Sequence, residues 1–343
     1  MKTITINGTN DERFSSAAKA LREGRLVAFP TETVYGLGAN ALDPQAVKRI
    51  FKAKGRPLDN PLIVHIAKVS QLNPLVKEIP AQAEALINAF WPGPLTLVLK
   101  KSGLVPDEIT AGLDTVAVRM PDNPIALKLI EEASVPVAAP SANLSGRPSP
   151  TTYHHVLEDL NGRIEYIING GPCKIGVEST VLDITSGIPA ILRPGGVTME
   201  MLEKVIGKVE TDTALKPEDG IKPRSPGMKY RHYSPNAKMF LFDGEPEEVI
   251  KKINSLTSEN HAKGLRTGVL SSLENKDRYM AEVVVNIGSL SCLEDVASRL
   301  YNALRKFDEE KVDIIYSESF SEEGMGRAIM NRLRKASSGM IRS

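Results

Sequence analysis

From Phe29 to Asn40 the chain reads FPTETVYGLGAN. A short apolar run over 26–29 leads into three hydroxyls, Thr31, Thr33 and Tyr35, and one carboxylate, Glu32. Gly36 and Gly38 come straight after. A strand that ends in hydroxyls and then glycines delivers polar groups to a sheet edge and lets a ligand approach the backbone. The same residues also suit a strand that ends in a β-turn, so this stretch alone leaves both readings open.

Working outward, Phe14, Ala17, Ala18 and Leu21 recur at helical spacing and Gly24 stops that helix. On the other side, Asp43-Pro44 reads as an N-cap followed by proline at the first helical position. Val47, Ile50 and Phe51 supply the buried stripe, and Gly55 ends the helix inside KAKGR. Strands are predicted near 62–66, 95–99, 115–118, 136–139, 165–168, 180–184 and 190–192. Helices are predicted over 81–90, 124–132, 153–160 and 199–206. Several strands follow one another without a helix, which predicts a twisted mixed sheet with flanking helices rather than a simple doubly wound one.

Composition changes near 211. The run to 236 holds Pro217, Pro223, Pro226 and Pro235 and lacks apolar periodicity, as a linker does. It also gathers Lys222, Arg224, Lys229, Tyr230, Arg231, His232 and Tyr233, which suits an ordered segment folded over a ligand. Beyond it, strands and helices alternate in a smaller Rossmann-like three-layer α/β pattern with neither a G-x-G-x-x-G after its first strand nor a P-loop. The expected organisation is a first domain over 1–210, a linker over 211–236 and a second domain over 237–343.

The 343 residues carry a formal charge of +1, which argues against a protein coated in basic residues for nucleic acid. No basic start followed by an apolar stretch suggests a signal peptide, and no apolar run approaches a membrane span. Cys173 and Cys292 lie far apart and match no metal spacing, so reduced thiols and a cytoplasmic location are expected.

Candidate chemistry clusters at predicted strand ends. Lys54 and Arg56 flank Gly55; they suit a helix C-terminus, and equally a site that holds phosphate oxygens. Asn60-Pro61 makes a rigid polar loop before the next strand. Ser141, Asn143 and Ser145 follow another strand as PSANLSG, an ordinary polar turn unless paired with those cations. Arg119 closes a strand that opens at Thr115 and is a natural bidentate partner for a carboxylate. His65 inside LIVHI reads first as a core histidine. Ser179 and Arg193 again end strands. No G-x-S-x-G elbow, cysteine nucleophile or metal cluster appears, and His154-His155 falls on what reads as a surface helix. Chemistry here would rest on positioning and electrostatics.

Taken together, PTETVYGLG, Lys54-Gly55-Arg56, the Asn60-Pro61-Leu62 triplet and SANLSG resemble the YrdC-like threonylcarbamoyl-AMP synthases. SPGMKYRHYSP over 225–235 is similar to the interdomain linker of that family's long, two-domain form. The resemblance covers the whole chain. It implies condensation of L-threonine, bicarbonate or carbon dioxide, and ATP to threonylcarbamoyl-AMP and pyrophosphate. Downstream transferase proteins then modify the tRNA adenosine beside the anticodon. Magnesium would ride on the ATP phosphates, with no protein-caged metal.

Carried over by motif, Thr33, His65, Arg119, Ala139 and Ser179 would hold threonine. Arg56, Asn60, Thr115, Ser141, Ser149, Arg193 and Tyr233 would hold ATP. Lys54, Arg56, Ser141 and Asn143 would stabilise charge developing on the phosphates. Glu32 receives no role, because the implied chemistry needs no carboxylate nucleophile. Two other readings stand beside this one. A carbamoyltransferase of hydrogenase maturation would bring cysteine-rich zinc modules that two unclustered cysteines do not supply. An RNA-binding module without turnover, with weak tRNA contact, lacks the expected basic and aromatic strand pattern.

Overall fold

The computed structural model describes residues 1–212 and 233–342. Most of the expected linker, with Lys222 to His232, lies outside the described residues. Two compact units emerge. The first holds residues 1–145, 149–174 and 178–212; the second holds 146–148, 175–177 and 233–342.

Among the described residues of the first unit, eleven strands form one mixed sheet. In chain order they are β1 (Ile4–Asn7), β2 (Val27–Phe29), β3 (Gly36–Asn40), β4 (Ile63–His65), β5 (Leu95–Lys100), β6 (Thr115–Arg119), β7 (Val137–Ala138), β8 (Tyr166–Asn169), β9 (Thr180–Asp183), β10 (Ala190–Arg193) and β11 (Glu210–Thr211). Their spatial order is β1-β8-β2-β3-β7-β4-β6-β5-β9-β10-β11. Parallel pairs such as β4–β6 and β5–β9 alternate with antiparallel ones such as β5–β6 and β4–β7. The mixed sheet expected from the sequence is therefore the one found.

The helix Pro44–Lys54 shows how local signals act. Asp43 caps it by accepting from the Gln45 amide at 2.8 Å, and Gly55 ends it in the left-handed region. The helix Pro124–Ala133 is capped in the same way by Asn123.

The opening stretch holds a second strand that the sequence does not predict. Gly36–Asn40 is not a turn but β3, antiparallel to β2, with Phe29 opposite Gly36. Glycine is required by close approach, not by a bend. A Cβ on Gly38 would lie 2.8 Å from the Phe29 ring and 3.0 Å from Val137. The short strands β1 and β11 lie outside the strands that the sequence predicts; β1 pairs with β8 and β11 with β10.

Strand alternation sorts the sheet's two faces. Leu95, Leu97, Leu99, Val116, Val118 and Val64 point into the larger core with the helices Pro44–Lys54 and Ala81–Phe90. On the opposite face, Val27, Phe29 and Val137 pack under the helices Phe14–Arg22 and Pro124–Ala133. Further along that second face, Ile63, Val98, Ala117, Val181 and Leu192 form a small cluster of strand residues only. The polar candidates lie beside this cluster.

The second unit has five parallel strands, β12 (Lys238–Asp243), β13 (Thr267–Ser271), β14 (Val283–Asn286), β15 (Ile314–Glu318) and β16 (Gly339–Arg342). Their order is β14-β13-β15-β12-β16, with helices Pro246–His261, Leu293–Glu309 and Gly326–Ala336 between them. This is the Rossmann-like pattern that the alternation predicts. No described helix is long and apolar enough to cross a membrane.

Candidate active site

One cross-strand row organises the first unit's site. His65 on β4 stands opposite Arg119 on β6, and Arg119 stands opposite Thr96 on β5. The Thr96 hydroxyl lies 2.7 Å from the Ser179 hydroxyl. Ser179 in turn accepts from Arg193, whose Nη2 lies 3.0 Å from its carbonyl and 3.2 Å from its hydroxyl. All five side chains are buried. Gly195 permits this crossing, because a Cβ there would lie 2.2 Å from the Glu178 carbonyl and 2.4 Å from the Thr180 nitrogen.

Arg119 is held from three sides. Its Nε donates to the Gly93 carbonyl at 3.2 Å, and Nη1 donates to Thr33 Oγ1 at 2.9 Å. Nη2 donates to Glu32 Oε1, an ion pair whose side chains are only 4% and 5% exposed. A guanidinium has five N–H donors, so two stay available to a ligand. Thr33 is itself fixed by Thr31, whose hydroxyl donates to the Val34 carbonyl at 2.6 Å and lies 2.8 Å from Thr33 Oγ1. The threonines of PTETVYG thus shape their own loop and aim one hydroxyl at Arg119.

His65 is neutral. Burial, then the charges of Arg119 and Arg193, push its pKa down to about 3. Its Nδ1 lies 3.2 Å from the Ile63 carbonyl. Burial pushes the Cys173 thiol up to about 12, so it is no thiolate nucleophile.

The PSANLSG loop lies against the same wall. Gly36 pairs with Ser141 in an isolated bridge, and the Ala142 amide donates to the Tyr35 carbonyl at 2.8 Å. The Ala139 amide donates to the Ile63 carbonyl at 2.9 Å. Lys54 is buried and its ammonium holds this loop. It donates to the Ser141 carbonyl, to the Asn143 carbonyl at 2.6 Å and to Asn143 Oδ1 at 3.3 Å. Ser141 donates to Asn143 Oδ1 at 2.6 Å. Lys54, Ser141 and Asn143 therefore form one unit in which the lysine also shapes the loop.

Arg56 reaches over the next loop, its Nη2 lying 3.2 Å from the Pro61 carbonyl. Asn60 is fully buried, and neither its Oδ1 nor its Nδ2 has a hydrogen-bond partner among the described residues. An amide left unpaired at both ends is costly unless a ligand completes it. Ser149 donates to Glu178 Oε1 at 2.6 Å. Thr115 begins β6, four residues before Arg119 and so about 13 Å from it along the strand.

The structure sets Thr33, His65 and Arg119 in one group, ties Lys54, Ser141 and Asn143 into one loop unit, and joins Ser179 and Arg193 to the first group through Thr96. Tyr233 belongs to the second unit, where its ring lies 5.3 Å from Tyr301 and 5.8 Å from the Arg332 guanidinium. Sequence reasoning missed Thr96 and Glu178; a threonine inside the apolar run LTLVL was the available signal for the first. It also misjudged His155, which is buried, not surface, and whose Nδ1 accepts from the Thr151 amide at 3.3 Å. Among the described residues, no three His, Cys, Asp or Glu side chains converge to hold a metal ion.

A family model described as telomere recombination matches residues 19–195, and one described as the threonylcarbamoyl-AMP synthase C-terminal domain matches residues 197–338. The threonylcarbamoyl-AMP synthase of Pyrococcus abyssi (strain GE5 / Orsay) is 56% identical over 338 residues, 98% of this chain and 98% of that protein. The chain belongs to the threonylcarbamoyl-AMP synthase family. The threonylcarbamoyl-AMP synthase of Bacillus subtilis (strain 168) is 54% identical over 97% of this chain and 95% of its own length. A crystal structure of P. abyssi Sua5 complexed with L-threonine matches with a TM-score of 0.94 at 53% identity, covering 99% of this chain and 100% of that one. The two-domain synthase form is therefore the one present. Neither the RNA-binding module nor the hydrogenase-maturation reading is favoured.

Proposed function

We propose that this family member joins L-threonine, bicarbonate and ATP into threonylcarbamoyl-AMP. The threonine ammonium first gives up one proton, and the free amine then takes up the carbon of bicarbonate, expelling water and leaving a carbamate. The resulting carbamate oxygen then attacks the α-phosphorus of ATP, and pyrophosphate leaves. No protein nucleophile enters, so the protein's work is to hold reactants in line and stabilise charge.

The carrying observation is Arg119, a buried guanidinium anchored on three acceptors with two donors to spare. Such a fork fits an α-carboxylate. Thr33, His65, Ala139 and Ser179 surround it as the proposed threonine pocket. Arg56, Asn60, Thr115, Ser141, Ser149, Arg193 and Tyr233 are proposed to hold ATP. The unpaired Asn60 amide offers one donor and one acceptor, which matches the edge of a nucleobase. Lys54, Arg56, Ser141 and Asn143 are proposed to face the phosphates, with Lys54 acting largely by fixing the loop that carries the other two. Magnesium enters with the triphosphate as part of the substrate. The product passes to separate transferase proteins that modify tRNA.

The test is pyrophosphate release from ATP with labelled bicarbonate. Release that requires L-threonine, with label recovered in a threonine adduct of AMP, supports the reading. Release that ignores threonine, or none, overturns it.

A further inference from the structure

Glu32 is buried in the middle of this site, yet the reaction as written gives it nothing to do. Its Oε1 accepts from Arg119. Its Oε2 is buried and has no hydrogen-bond partner among the described residues. Anchoring Arg119 explains the first oxygen and leaves the second unexplained. A carboxylate oxygen sealed from water without a donor is unfavourable, and native structures seldom keep one without a ligand to satisfy it.

The neighbouring groups narrow what that ligand brings. Thr33 Oγ1 already accepts from Arg119 and meets Thr31. The Gly93 carbonyl takes Arg119 Nε, and His65 Nδ1 lies 3.2 Å from the Ile63 carbonyl. Glu32 Oε2 is thus the anionic acceptor left beside the guanidinium. In an α-amino acid the ammonium sits one carbon away from the carboxylate. A receptor that grips the carboxylate with a guanidinium therefore meets the ammonium close by, where an acceptor is needed.

Resting on the proposed function, we infer that Glu32 Oε2 receives the α-amino N–H of threonine and sets the site's selectivity for an amino acid over its amine-free analogue. The nitrogen keeps one N–H after it becomes a carbamate, so the same bond orients it through both stages. Arg119 and Glu32 then read the two ends of one zwitterion, each also holding the other in place.

The probe pair is L-threonine and (R)-3-hydroxybutanoate, which keeps the carboxylate and the hydroxyl but lacks the amine. Calorimetric titration of the unsubstituted protein should show L-threonine binding about 10–100-fold more tightly, the range of a hydrogen bond to a charged group. Glu32→Gln keeps the volume and an acceptor for Arg119 but can present a donor at the second position. It should weaken L-threonine by a similar factor and leave (R)-3-hydroxybutanoate within about twofold, collapsing the preference. Equal weakening of both ligands, or of neither, overturns the inference and leaves the proposed function standing. If Glu32→Gln does not fold, the unsubstituted protein still decides, since no preference for L-threonine there also overturns the inference. Failure of the unsubstituted protein to bind L-threonine at all overturns the proposed function and the inference together.

Discussion

Replacing Arg119 by Met removes a guanidinium of similar length and leaves Glu32 behind. The two side chains are 4% and 5% exposed, so water cannot take over the pairing. Breaking a buried ion pair from one side typically costs about 3–5 kcal/mol, because the remaining charge has no partner. For a unit of this size that corresponds to a fall in melting temperature of about 6–20 °C. The loss should be reduced by a second substitution. In Arg119→Met with Glu32→Gln no charge is stranded, and the double variant should exceed Arg119→Met alone in stability by about 1–3 kcal/mol. Urea unfolding of the four proteins, read as a double-mutant cycle, measures this directly. Both Arg119 variants should also bind L-threonine poorly, so stability and binding separate: the second substitution restores one and not the other. A double variant less stable than Arg119→Met, with losses that simply add, would refute the claim that the pair is a closed buried unit.

Two further outcomes are expected. Asn60→Ala removes an amide whose two polar atoms have no partner among the described residues, so it should cost little stability and raise the ATP KM about tenfold; an unchanged ATP KM, measured by pyrophosphate release, counts against the nucleotide role. His65 titrates near pH 6.5 when unfolded and near 3 when folded, so below 6.5 the unfolded chain takes a proton that the folded one refuses. Its contribution is complete above pH 6.5 and shrinks on acidification by up to about 1.4 kcal/mol per pH unit; a denaturation profile between about pH 7.5 and 5 that His65→Gln leaves unchanged would contradict this.

Local signals in this chain are strong where chemistry is short-ranged. Asp43, Asn123 and Gly55 fix helix ends within a few residues, and the sequence identifies each. The runs LIVHI and LTLVL announce strands because apolar β-rich segments of that length have few alternatives. The motif order and spacing also carried the family, because a shared site imposes the same residues in the same succession.

Other features had no local signature. The glycines of GLGAN suit either a turn or a backbone open to a ligand; only the packed Phe29 ring and Val137 show that close packing at Gly38 leaves no room for a Cβ. Thr96 looks like one polar residue in a strand. It becomes a link between Arg119 and Ser179 once β5 is set between β6 and β9. Lys54 reads as a phosphate-facing cation, and the fold shows its ammonium bound to the PSANLSG loop. Glu32 has no role in the sequence reading because the implied reaction needs no carboxylate nucleophile. Its burial, its pairing with a residue 87 positions away and its unpaired oxygen follow from sheet closure, which no sequence window contains. The sequence by itself determined most of the helices and strands, the ends of the helix Pro44–Lys54 and the family. The tertiary structure decided which charges meet, because pairing across a sheet depends on register and strand order, and burial then sets what each pairing is worth.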